Sequence, residues 1–362
     1  MKIGIITFHK AENVGACLQA YATYSYIKDT YNQDTELIDF VPNNLCNDCG
    51  LAHRIAHYLK VAITFPFTKS KRKRREKFAE FFKLYNCSAD TYYGDGDLEE
   101  KKPEYDLLIS GSDQILNVNL SGDSTSFYLA FDDKAIKASY ASSFGRSDIS
   151  NKEIDLVKTE LSRFDFLSAR ELSTKNIIEN NTGREVYLVC DPVFLLDKAE
   201  WAVISNGSKK SNYIFIYAME ITSWLLDTIS RVRSESNKKM IAVLGGGGKI
   251  SVEGVATYEC CGPQEFLSLI READLVITNS FHGTAFSIIF EKEFLCLAHS
   301  SRNARLENIL RIIGAQNQMI DEKRAYHRDN SVIKPHEYLH RMDKLIEQSK
   351  EYLDMVMERV GE

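Results

Sequence analysis

Short apolar runs alternate along the whole chain with segments that have helical periodicity. In the first half, KIGIITF, TELIDFV, YDLLISGSDQ and KASYASSFG read as strands, whereas VGACLQAYATYSYIKDTY and NKEIDLVKTELSRF have the spacing of helices. The pattern starts again with the strand NYIFIYAM, the helix SWLLDTISRVRSES and the strand KMIAVL. Because such units form parallel sheets with right-handed crossovers, the sequence predicts an α/β protein with two Rossmann-like domains facing a central cleft.

The same pattern sets the expected domain boundaries. We expect a first Rossmann-like domain over residues 1–195, with a basic amphipathic insertion at about 45–85, and a second over residues 196–335. Residues 336–362 are predicted to form a long amphipathic helix that packs back across the first domain. The stretch EVYLVCDPVFLL is predicted to be a buried strand that ends at the turn signal Asp191-Pro192.

Polar loops follow five of the predicted strands: TFHKAENVG, SGSDQ, SARE, TNSFHG and SSRNAR. In parallel-sheet domains, ligands bind beyond the carboxyl ends of the strands. The five loops are therefore expected to converge on one site in the cleft.

The loop TNSFHGT lies between a strand and a helix that is predicted to start near Gly283. Ser280, Thr284 and the Gly283 amide would cradle a phosphate or carboxylate at the helix amino terminus, with Asn279 beside them. His282 adds a group that can carry charge near neutral pH. The alternative is an ordinary capped helix, in which Ser280 only satisfies backbone amides.

Three arginines are candidate ligands for an anion. Arg170 lies at the end of a predicted buried strand, where it could bind a carboxylate or phosphate, or pair internally with Glu171 or Asp191. Arg302 and Arg305 follow another strand, and the alternative for both is a solvated helix face.

Further candidates for substrate recognition lie at two other strand exits. Asp113 and its neighbour Ser112 belong to a glycine-containing loop, where the carboxylate could accept a proton or form an Asx turn or helix cap. Asn13 and Gly15 form a helix entry, and Gln19 lies one turn further on. The amides suit either hydroxyl recognition or local hydrogen bonds to the backbone.

Composition narrows the function classes. A net charge of -6 gives no general attraction to nucleic acid, and we expect no nucleic-acid partner. Cys46, Cys49, His53 and His57 could hold zinc, but only three residues separate the two pairs, whereas zinc fingers separate them by about a dozen. The histidine spacing also fits one face of a helix. We therefore expect neither a metal nor a cofactor.

The basic run KSKRKRREK follows the amphipathic segment LAHRIAHYLKVAITFPF. Residues 51–77 thus have the features of a segment that lies on an anionic membrane surface, and a solvated charged face is the alternative. No apolar run reaches the ~20 residues that a membrane-spanning helix needs, and no signal-peptide cleavage site follows the amino terminus. We expect a cytoplasmic protein, with residues 51–77 as its candidate contact to the inner face of the membrane.

Taken in order, the motifs TFHKAENVGACLQAYA, LLISGSDQILN, ASYASSFG, LSAREL, LVCDPVFLL, CGPQEFLSLIREADLVITNSFHGTAFSIIF and SSRNARLENIL resemble the polysaccharide pyruvyl transferases. The resemblance implies a GT-B-like fold and transfer of pyruvate from phosphoenolpyruvate onto a sugar as a ketal. The sugar would belong to a surface polysaccharide, such as a capsule or exopolysaccharide, or to its undecaprenyl-linked precursor.

The resemblance also implies roles for individual residues. His282 matches the histidine of the family's Arg–x–His element and is expected to bind phosphate and act as acid, whereas Ser280 stands where several relatives carry arginine. Arg170, with Arg302 or Arg305, would then balance the donor's charge, and Asp113 would be the base. The alternatives are a GT-B glycosyltransferase that uses a nucleotide sugar and a non-enzymatic protein that binds glycans or lipids.

Overall fold

Two parallel sheets form the framework of the protein. A computed structural model describes residues 1–43, 69–206, 212–301, 303–334 and 338–361. The strands of the first sheet are β1 Lys2–Ile6, β2 Asp34–Val41, β3 Cys87–Tyr93, β4 Leu107–Ser110 and β5 Ile136–Ser139. They pair in the order β3-β2-β1-β4-β5, and every pairing is parallel. We refer to the part of the chain around this sheet as the first domain.

A short two-stranded sheet, β6 Ser168–Ala169 with β7 Tyr187–Leu188, continues the first domain. The second domain is built on β8 Tyr213–Ala218, β9 Lys239–Leu244, β10 Val255–Thr257, β11 Leu275–Thr278 and β12 Phe294–Cys296. These strands pair in the order β10-β9-β8-β11-β12, again all parallel. The predicted α/β architecture with two parallel sheets is confirmed.

Helices connect the strands. In the described part of the chain they are α1 Val14–Tyr31, α2 Lys69–Phe81, α3 Gly94–Lys101, α4 Val118–Ser121, α5 Asn151–Thr159, α6 Leu172–Thr182, α7 Lys198–Ile204, α8 Ser223–Glu235, α9 Pro263–Glu272, α10 Phe281–Ile289, α11 Ala304–Ile313, α12 Arg328–Ser331 and α13 Leu339–Gly361. Capping boxes explain several helix starts. The side chains of Ser150 and Asp197, for example, each accept the backbone N–H of a glutamate three residues on, and the side chain of that glutamate accepts the backbone N–H of the capping residue.

The two sheets have the same strand order, and this order predicts where a ligand would bind. In each of them the strand order reverses next to the first strand, between β1 and β4 and between β8 and β11. Such a reversal opens a crevice at the carboxyl ends of the two strands, which is where α/β sheets bind ligands. The fold therefore selects the exits of β1, β4, β8 and β11 as the place of a site.

One predicted strand is much shorter than expected. The stretch EVYLVCDPVFLL is predicted to be a buried strand that ends at Asp191-Pro192, but β7 covers only Tyr187–Leu188. The chain then turns, because the Asp191 side chain accepts the N–H of Val193 and Pro192 opens a 3-10 turn. This turn brings the Asp191 carboxylate into the interior instead of leaving it at a strand end.

The carboxyl-terminal helix α13 contacts elements of the first domain. The Tyr352 hydroxyl donates to the Ser139 carbonyl over 2.8 Å, and the Cys190 N–H donates to the Ser349 hydroxyl over 2.8 Å. At the rim, the Tyr31 hydroxyl donates to Asp354 over 2.7 Å. Helix α13 also packs against α11 of the second domain, so it touches both domains.

Residues 69–77, the described part of the proposed membrane segment 51–77, belong to α2. Two of its cations face the second domain: Arg74 donates to the carbonyls of Glu12 and Gly245, and Lys77 pairs with Glu265 at 2.5 Å. Residues 51–68 of the proposed membrane segment lie outside the described residues. Among the described helices, none is long and apolar enough to cross a membrane.

Candidate active site

A cavity of about 520 Å³ lies between the two domains, at the strand exits that the topology selects. The first domain contributes the loop after β1 and the loop after β4, and the second domain contributes the loops after β8, β11 and β12. The lining residues with polar side chains include Thr7, His9, Lys10, Asn13, Asp113, Gln114, Tyr217, Asn279, Ser280, His282, His299 and Arg305. Of the predicted site residues, six line this cavity: Asn13, Asp113, Asn279, Ser280, His282 and Arg305.

Asp113 is held in the cavity by an unusual backbone conformation. Its φ of +76° lies in the left-handed region, which few residues other than glycine adopt and which aspartate adopts more readily than most. The carboxylate lies 3.8 Å from Nη2 of Arg170 and 3.7 Å from Nη1 of Arg305. Burial alone would raise the pKa of Asp113, but the two guanidinium groups outweigh it and hold that pKa below its ordinary value. Asp113 is therefore ionised at neutral pH.

Arg170 lies behind the cavity and does not line it. Its Nη1 is 2.5 Å from Oδ2 of Asp191, and its Nε is 3.6 Å from Oε2 of Glu171. Only 3% of the residue is exposed, and the guanidinium stacks on the Phe281 ring at 5.1 Å. The structure thus corrects the expected role of Arg170 as a direct clamp on a ligand, because a buried arginine needs this internal pairing.

Of the arginines in the described part of the chain, Arg305 is the one that lines the cavity. It comes from α11, and its Cζ lies 5.8 Å from the centre of the Phe281 ring, on which Arg170 also stacks. With 17% of the side chain exposed, Arg305 does not belong to a solvated helix face. Arg302, the other arginine of that loop, lies outside the described residues.

His282 projects from the first turn of α10 and is almost fully buried. Its Nε2 has no hydrogen-bond partner among the described residues and lies 3.9 Å from Oδ2 of Asp191. Burial lowers the pKa of His282 to about 4, although the nearby Asp191 and Asp113 carboxylates favour the protonated form. The imidazole is therefore neutral at pH 7, and its Nε2 is available to a ligand.

The structure corrects the expected roles of two residues in the TNSFHGT loop. Helix α10 begins at Phe281, two residues before the predicted start. Gly283 then faces Thr278: a Cβ on Gly283 would lie 2.2 Å from the Thr278 hydroxyl, so the glycine permits close packing. Thr284 is fully buried with its hydroxyl 3.7 Å from the Cys296 sulfur. Neither residue lines the cavity.

Asn279 and Ser280 do line the cavity, in different ways. The Asn279 amide holds the loop after β8, because its Oδ1 accepts the Met219 N–H over 2.7 Å and its Nδ2 donates to the Glu220 carbonyl over 2.9 Å. Ser280 makes no side-chain cap bond to α10, so the capping alternative does not account for it. Its hydroxyl is the more available of the two groups for a ligand.

Of the candidate residues near the start of α1, one lines the cavity and another supports the loop after β1. Asn13 caps α1 by accepting the N–H groups of Gly15 and Ala16, and it also faces the cavity. Gln19 is fully buried and donates to the Thr7 hydroxyl over 2.9 Å, so it supports the β1 exit instead of contacting a ligand. Ser112 is likewise fully buried, which corrects its expected role in binding.

Sequence reasoning missed several polar residues of the cavity. Lys10 and His9 line it at the β1 exit, and both pair with the buried Asp39 of β2. On the opposite side, His299 pairs with Glu220 at 3.2 Å. The strand-exit rule pointed to the loop TFHKAENVG, but nothing in the sequence showed that Asp39 would orient its two basic residues.

Within the described residues, no group of three or more His, Cys, Asp and Glu side chains is arranged to hold a metal ion. The zinc candidates Cys46, Cys49, His53 and His57 lie outside those residues.

Solved structures with the same architecture are found among proteins of low sequence identity. The glycosyltransferase SnogD from Streptomyces nogalater is 9% identical, with 99% of each chain covered and a TM-score of 0.51. UGT89C1 from Arabidopsis thaliana is 10% identical, also with 99% of each chain covered and a TM-score of 0.51. S. aureus MnaA, in a co-structure with UDP, is 10% identical over 96% of this chain and 91% of its own, with a TM-score of 0.51. These similarities establish a GT-B-like fold.

A search of curated proteins finds no match to this chain. The sequence profile of the family described as polysaccharide pyruvyl transferase matches residues 13–301, from the cap of α1 to the loop after β12. This range contains every element that lines the cavity except the β1 exit before residue 13 and helix α11. The chain therefore belongs to the polysaccharide pyruvyl transferase family.

Proposed function

We propose that the protein transfers pyruvate from phosphoenolpyruvate to a sugar of a surface polysaccharide or of its lipid-linked precursor, and so forms a pyruvate ketal. The observation that carries this proposal is the convergence of Asp113, His282 and Arg305 in one cavity between the domains, in a chain of this family. A carboxylate, a neutral imidazole and a guanidinium are the groups that acid–base transfer of a small anion requires.

The donor would bind on the side of the second domain. Phosphoenolpyruvate carries a carboxylate and a phosphate, and Arg305 can form paired hydrogen bonds with either group. Nε2 of His282 has no partner and is buried, so it supplies a further contact for an oxyanion. The approach of this negative charge favours the imidazolium, so donor binding would raise the pKa of His282 from about 4.

The two hydroxyls of the sugar would react in turn at one carbon of phosphoenolpyruvate, the carbon that bears the phosphate. A proton is added to the methylene carbon of phosphoenolpyruvate, the double-bond electrons form the new C–H bond, and positive charge develops on the carbon that bears the phosphate. A sugar hydroxyl adds to this carbon and loses its proton. A second hydroxyl of the sugar then attacks the same carbon, and the cyclic ketal closes. Inorganic phosphate leaves with the C–O electron pair and takes up the proton that this hydroxyl loses.

Asp113 is suited to remove the proton from the attacking hydroxyl. Its pKa is held below the ordinary value because Arg170 and Arg305 face it and outweigh the effect of burial. If Arg305 turns to the donor, Asp113 loses part of that stabilisation, so its pKa rises and it becomes a better base. His282, once protonated, would supply the proton for the methylene group or for the departing phosphate.

Arg170 has a positioning role in this scheme. It links Asp191, which faces His282, to Asp113 at the cavity wall; Arg170 and Asp191 are buried, and 14% of the Asp113 side chain is exposed. This network sets the electrostatic environment of the acid and the base without contact to substrate. The scheme needs no cofactor, because Arg305 and the amino terminus of α10 supply charge stabilisation.

The proposal is tested by ligand-induced thermal stabilisation of the purified protein. A ligand that binds only the folded state raises Tm with its concentration, so phosphoenolpyruvate should stabilise the wild type and not Arg305→Met. Arg72→Met, at a fully exposed position with 79% of its side chain accessible, is the matched control and should respond as the wild type does. Stabilisation by a nucleotide sugar and not by phosphoenolpyruvate would favour the glycosyltransferase alternative. A response to neither would favour a non-enzymatic protein that binds glycans or lipids.

A further inference from the structure

Gln114 faces the cavity from the first domain, and the proposed reaction does not use it. It directly follows Asp113 in the loop after β4, and only 8% of the residue is exposed. In the described part of the chain, three residues with side-chain amides line the cavity. Oδ1 of Asn13 and Oδ1 of Asn279 accept backbone N–H groups, so these two amides support the fold. The Gln114 amide forms no hydrogen bond with any described residue and is therefore available to a ligand.

The backbone of Asp113 explains why two consecutive side chains reach the same cavity. In an extended strand, neighbouring side chains point to opposite faces of the sheet. The φ of +76° at Asp113 breaks this alternation, although the residue still pairs with Ser142 beyond the end of the strand. Asp113 and Gln114 both line the cavity as a result, and their Cα atoms are about 3.8 Å apart across a trans peptide. A carboxylate and an amide thus lie side by side.

The side chain of Gln114 packs on Gly145. A Cβ on Gly145 would lie 2.0 Å from Oε1 and 2.4 Å from Cδ of Gln114, so the amide rests directly on the glycine backbone. The N–H of Gly145 donates to the Ser143 hydroxyl over 2.8 Å, and Ser143 donates to the buried Glu171 over 2.5 Å. The backbone beneath the amide is therefore held in place, which orients the amide before a ligand arrives.

The first domain also contributes apolar side chains to the cavity, namely Phe8, Phe40, Val41, Pro42 and Leu120. Ligand sites commonly combine apolar walls with a few precisely placed polar groups. A neutral amide together with apolar side chains suits an uncharged ligand that has both C–H surface and hydroxyl groups. A sugar ring has both features.

We propose that Gln114 binds the acceptor sugar, at the hydroxyl next to the one from which Asp113 takes the proton. This assignment rests on the proposed pyruvyl transfer. A cyclic ketal joins two oxygens of the sugar to one carbon, so both hydroxyls must be held close together when the reaction starts. A carboxamide can donate to one sugar oxygen and accept from the hydroxyl of another, whereas an ionised carboxylate only accepts. Gln114 thus selects sugars whose second hydroxyl is oriented for ring closure.

The test is a ligand-observed NMR titration of the whole protein without donor, with the methyl glycosides of glucose, galactose and mannose as probes. At least one of these sugars should bind the wild type. Gln114→Met keeps an unbranched side chain of similar length but removes the amide. It should weaken binding of that sugar by about fivefold to tenfold, the loss expected for one hydrogen bond. The affinity for phosphoenolpyruvate should change by less than about twofold.

Gln33→Met is the matched control. Gln33 is a partly buried amide just before β2, at the edge of the sheet opposite to the cavity, and its Nε2 donates to the Tyr31 carbonyl. Its substitution should leave sugar binding unchanged.

A second pair of variants tests the packing of the amide. Gly145→Ala and Gly183→Ala introduce similar backbone strain, because φ is +68° at Gly145 and +69° at Gly183. A Cβ would meet Gln114 at Gly145, whereas at Gly183 it would have no neighbour within 4 Å. Gly145→Ala should therefore weaken sugar binding and Gly183→Ala should not.

Deoxy analogues of the bound sugar separate a direct contact from a structural effect. Each analogue lacks one hydroxyl of the parent methyl glycoside. One analogue should bind the wild type about as weakly as Gln114→Met binds the parent, and the same analogue should lose no further affinity with Gln114→Met. Equal losses in both proteins for every analogue would overturn the proposal. Unchanged sugar binding by Gln114→Met, or no sugar binding by the wild type, would overturn it as well.

The outcomes distinguish this inference from the proposed function. If phosphoenolpyruvate stabilises the protein but Gln114→Met binds the sugar as the wild type does, the pyruvyl transfer stands and the role of Gln114 is wrong. If the sugar binds through Gln114 but phosphoenolpyruvate does not bind, the proposed donor is wrong and the sugar site stands.

Discussion

The imidazole of His282 lies directly on the backbone of Gly15, although the two residues belong to different domains. A Cβ on Gly15 would lie 2.0 Å from Nδ1 of His282, a distance at which no side chain fits. Gly15 is in the first turn of α1, and His282 is in the first turn of α10. The close contact of these two helix starts therefore fixes the imidazole at the point where the domains meet.

Gly15→Ala should displace the His282 ring and lower the rate of phosphate release from phosphoenolpyruvate by about 100-fold, the effect expected for a shift of about 1 Å in a catalytic group. Overpacking should also cost about 1–3 kcal/mol in the free energy of unfolding. Steady-state kinetics and urea unfolding measure the two effects. Gly96→Ala, where a Cβ would have no neighbour within 4 Å, is the control and should keep full activity. Equal activity of both variants would contradict the packing argument.

The buried, neutral state of His282 should make stability depend on pH. The unfolded chain binds a proton at this residue below its ordinary pKa of 6.5, whereas the folded protein does so only below about 4. The contribution of His282 is thus fully present above pH 6.5 and is lost as the pH falls to about 4, by on the order of 3 kcal/mol. Urea unfolding at several pH values between 4 and 7 gives the free energy of unfolding of wild type and of His282→Gln as a function of pH. The contribution of His282 is the difference between the slopes of these two pH dependences. Parallel slopes would show that His282 does not titrate in this way.

Substitutions of the two arginines should have different consequences. Arg170→Met leaves the Asp191 and Glu171 carboxylates buried without their partner, so it should lower the free energy of unfolding by about 3–5 kcal/mol. Arg305→Met should abolish stabilisation by phosphoenolpyruvate and cost about 1 kcal/mol or less, because Asp113 keeps Arg170. Urea unfolding and thermal shift with the ligand separate these outcomes. If Arg170→Met is as stable as the wild type but no longer binds the donor, the result would indicate that Arg170 contacts the donor directly.

Helix α2 should hold the domains together through Lys77. Its ammonium pairs with Glu265 at 2.5 Å and donates to the Tyr258 hydroxyl over 2.6 Å, and both partners belong to the second domain. Because the pair is largely shielded from solvent, Lys77→Met should cost about 1–2 kcal/mol in the free energy of unfolding. The control is Lys83→Met, whose pair with Glu80 is exposed and should contribute less than about 0.5 kcal/mol. Equal losses would mean that the contact between the domains is not stabilising.

The exposed cations of α2 provide a test of membrane contact through residues 51–77. Lys69, Lys71 and Lys73 are exposed, and each basic residue near an anionic surface contributes about 1 kcal/mol. Changing all three to Gln should reduce cosedimentation with vesicles that contain phosphatidylglycerol by about 100-fold in partition coefficient. Neutral phosphatidylcholine vesicles should bind neither protein. The control replaces three exposed lysines elsewhere, namely Lys102, Lys134 and Lys323. If both triple variants lose binding equally, attraction by α2 is not specific.

Local pattern was sufficient for much of the fold. The alternation of apolar runs and helical segments predicted two parallel sheets, and the strand-exit rule predicted loops that line the cavity. Asn13, Asp113, Asn279, Ser280, His282 and Arg305 were all found in this way. The prediction worked because strand ends and helix starts are local features, and parallel topology always brings them to the same edge of a sheet.

Side-chain direction was not available from the pattern. Arg170, Gln19, Ser112 and Thr284 lie in the expected loops or helix starts, but their side chains are buried and do not line the cavity. Arg170 and Thr284, for example, contact Asp191 and Cys296, which are distant in sequence. Asp191 is 21 residues from Arg170, and the Lys10–Asp39 pair spans 29 residues. No periodicity records such pairs.

The amino-acid sequence by itself determined the class of fold, the edge of each sheet at which the cavity lies and the family to which the chain belongs. Only the tertiary structure decided which cations face the cavity and which are held behind it, and that His282 of one domain rests on Gly15 of the other. The physical reason is that hydrophobic spacing fixes which elements form, whereas burial and charge pairing between distant residues fix where each polar side chain points.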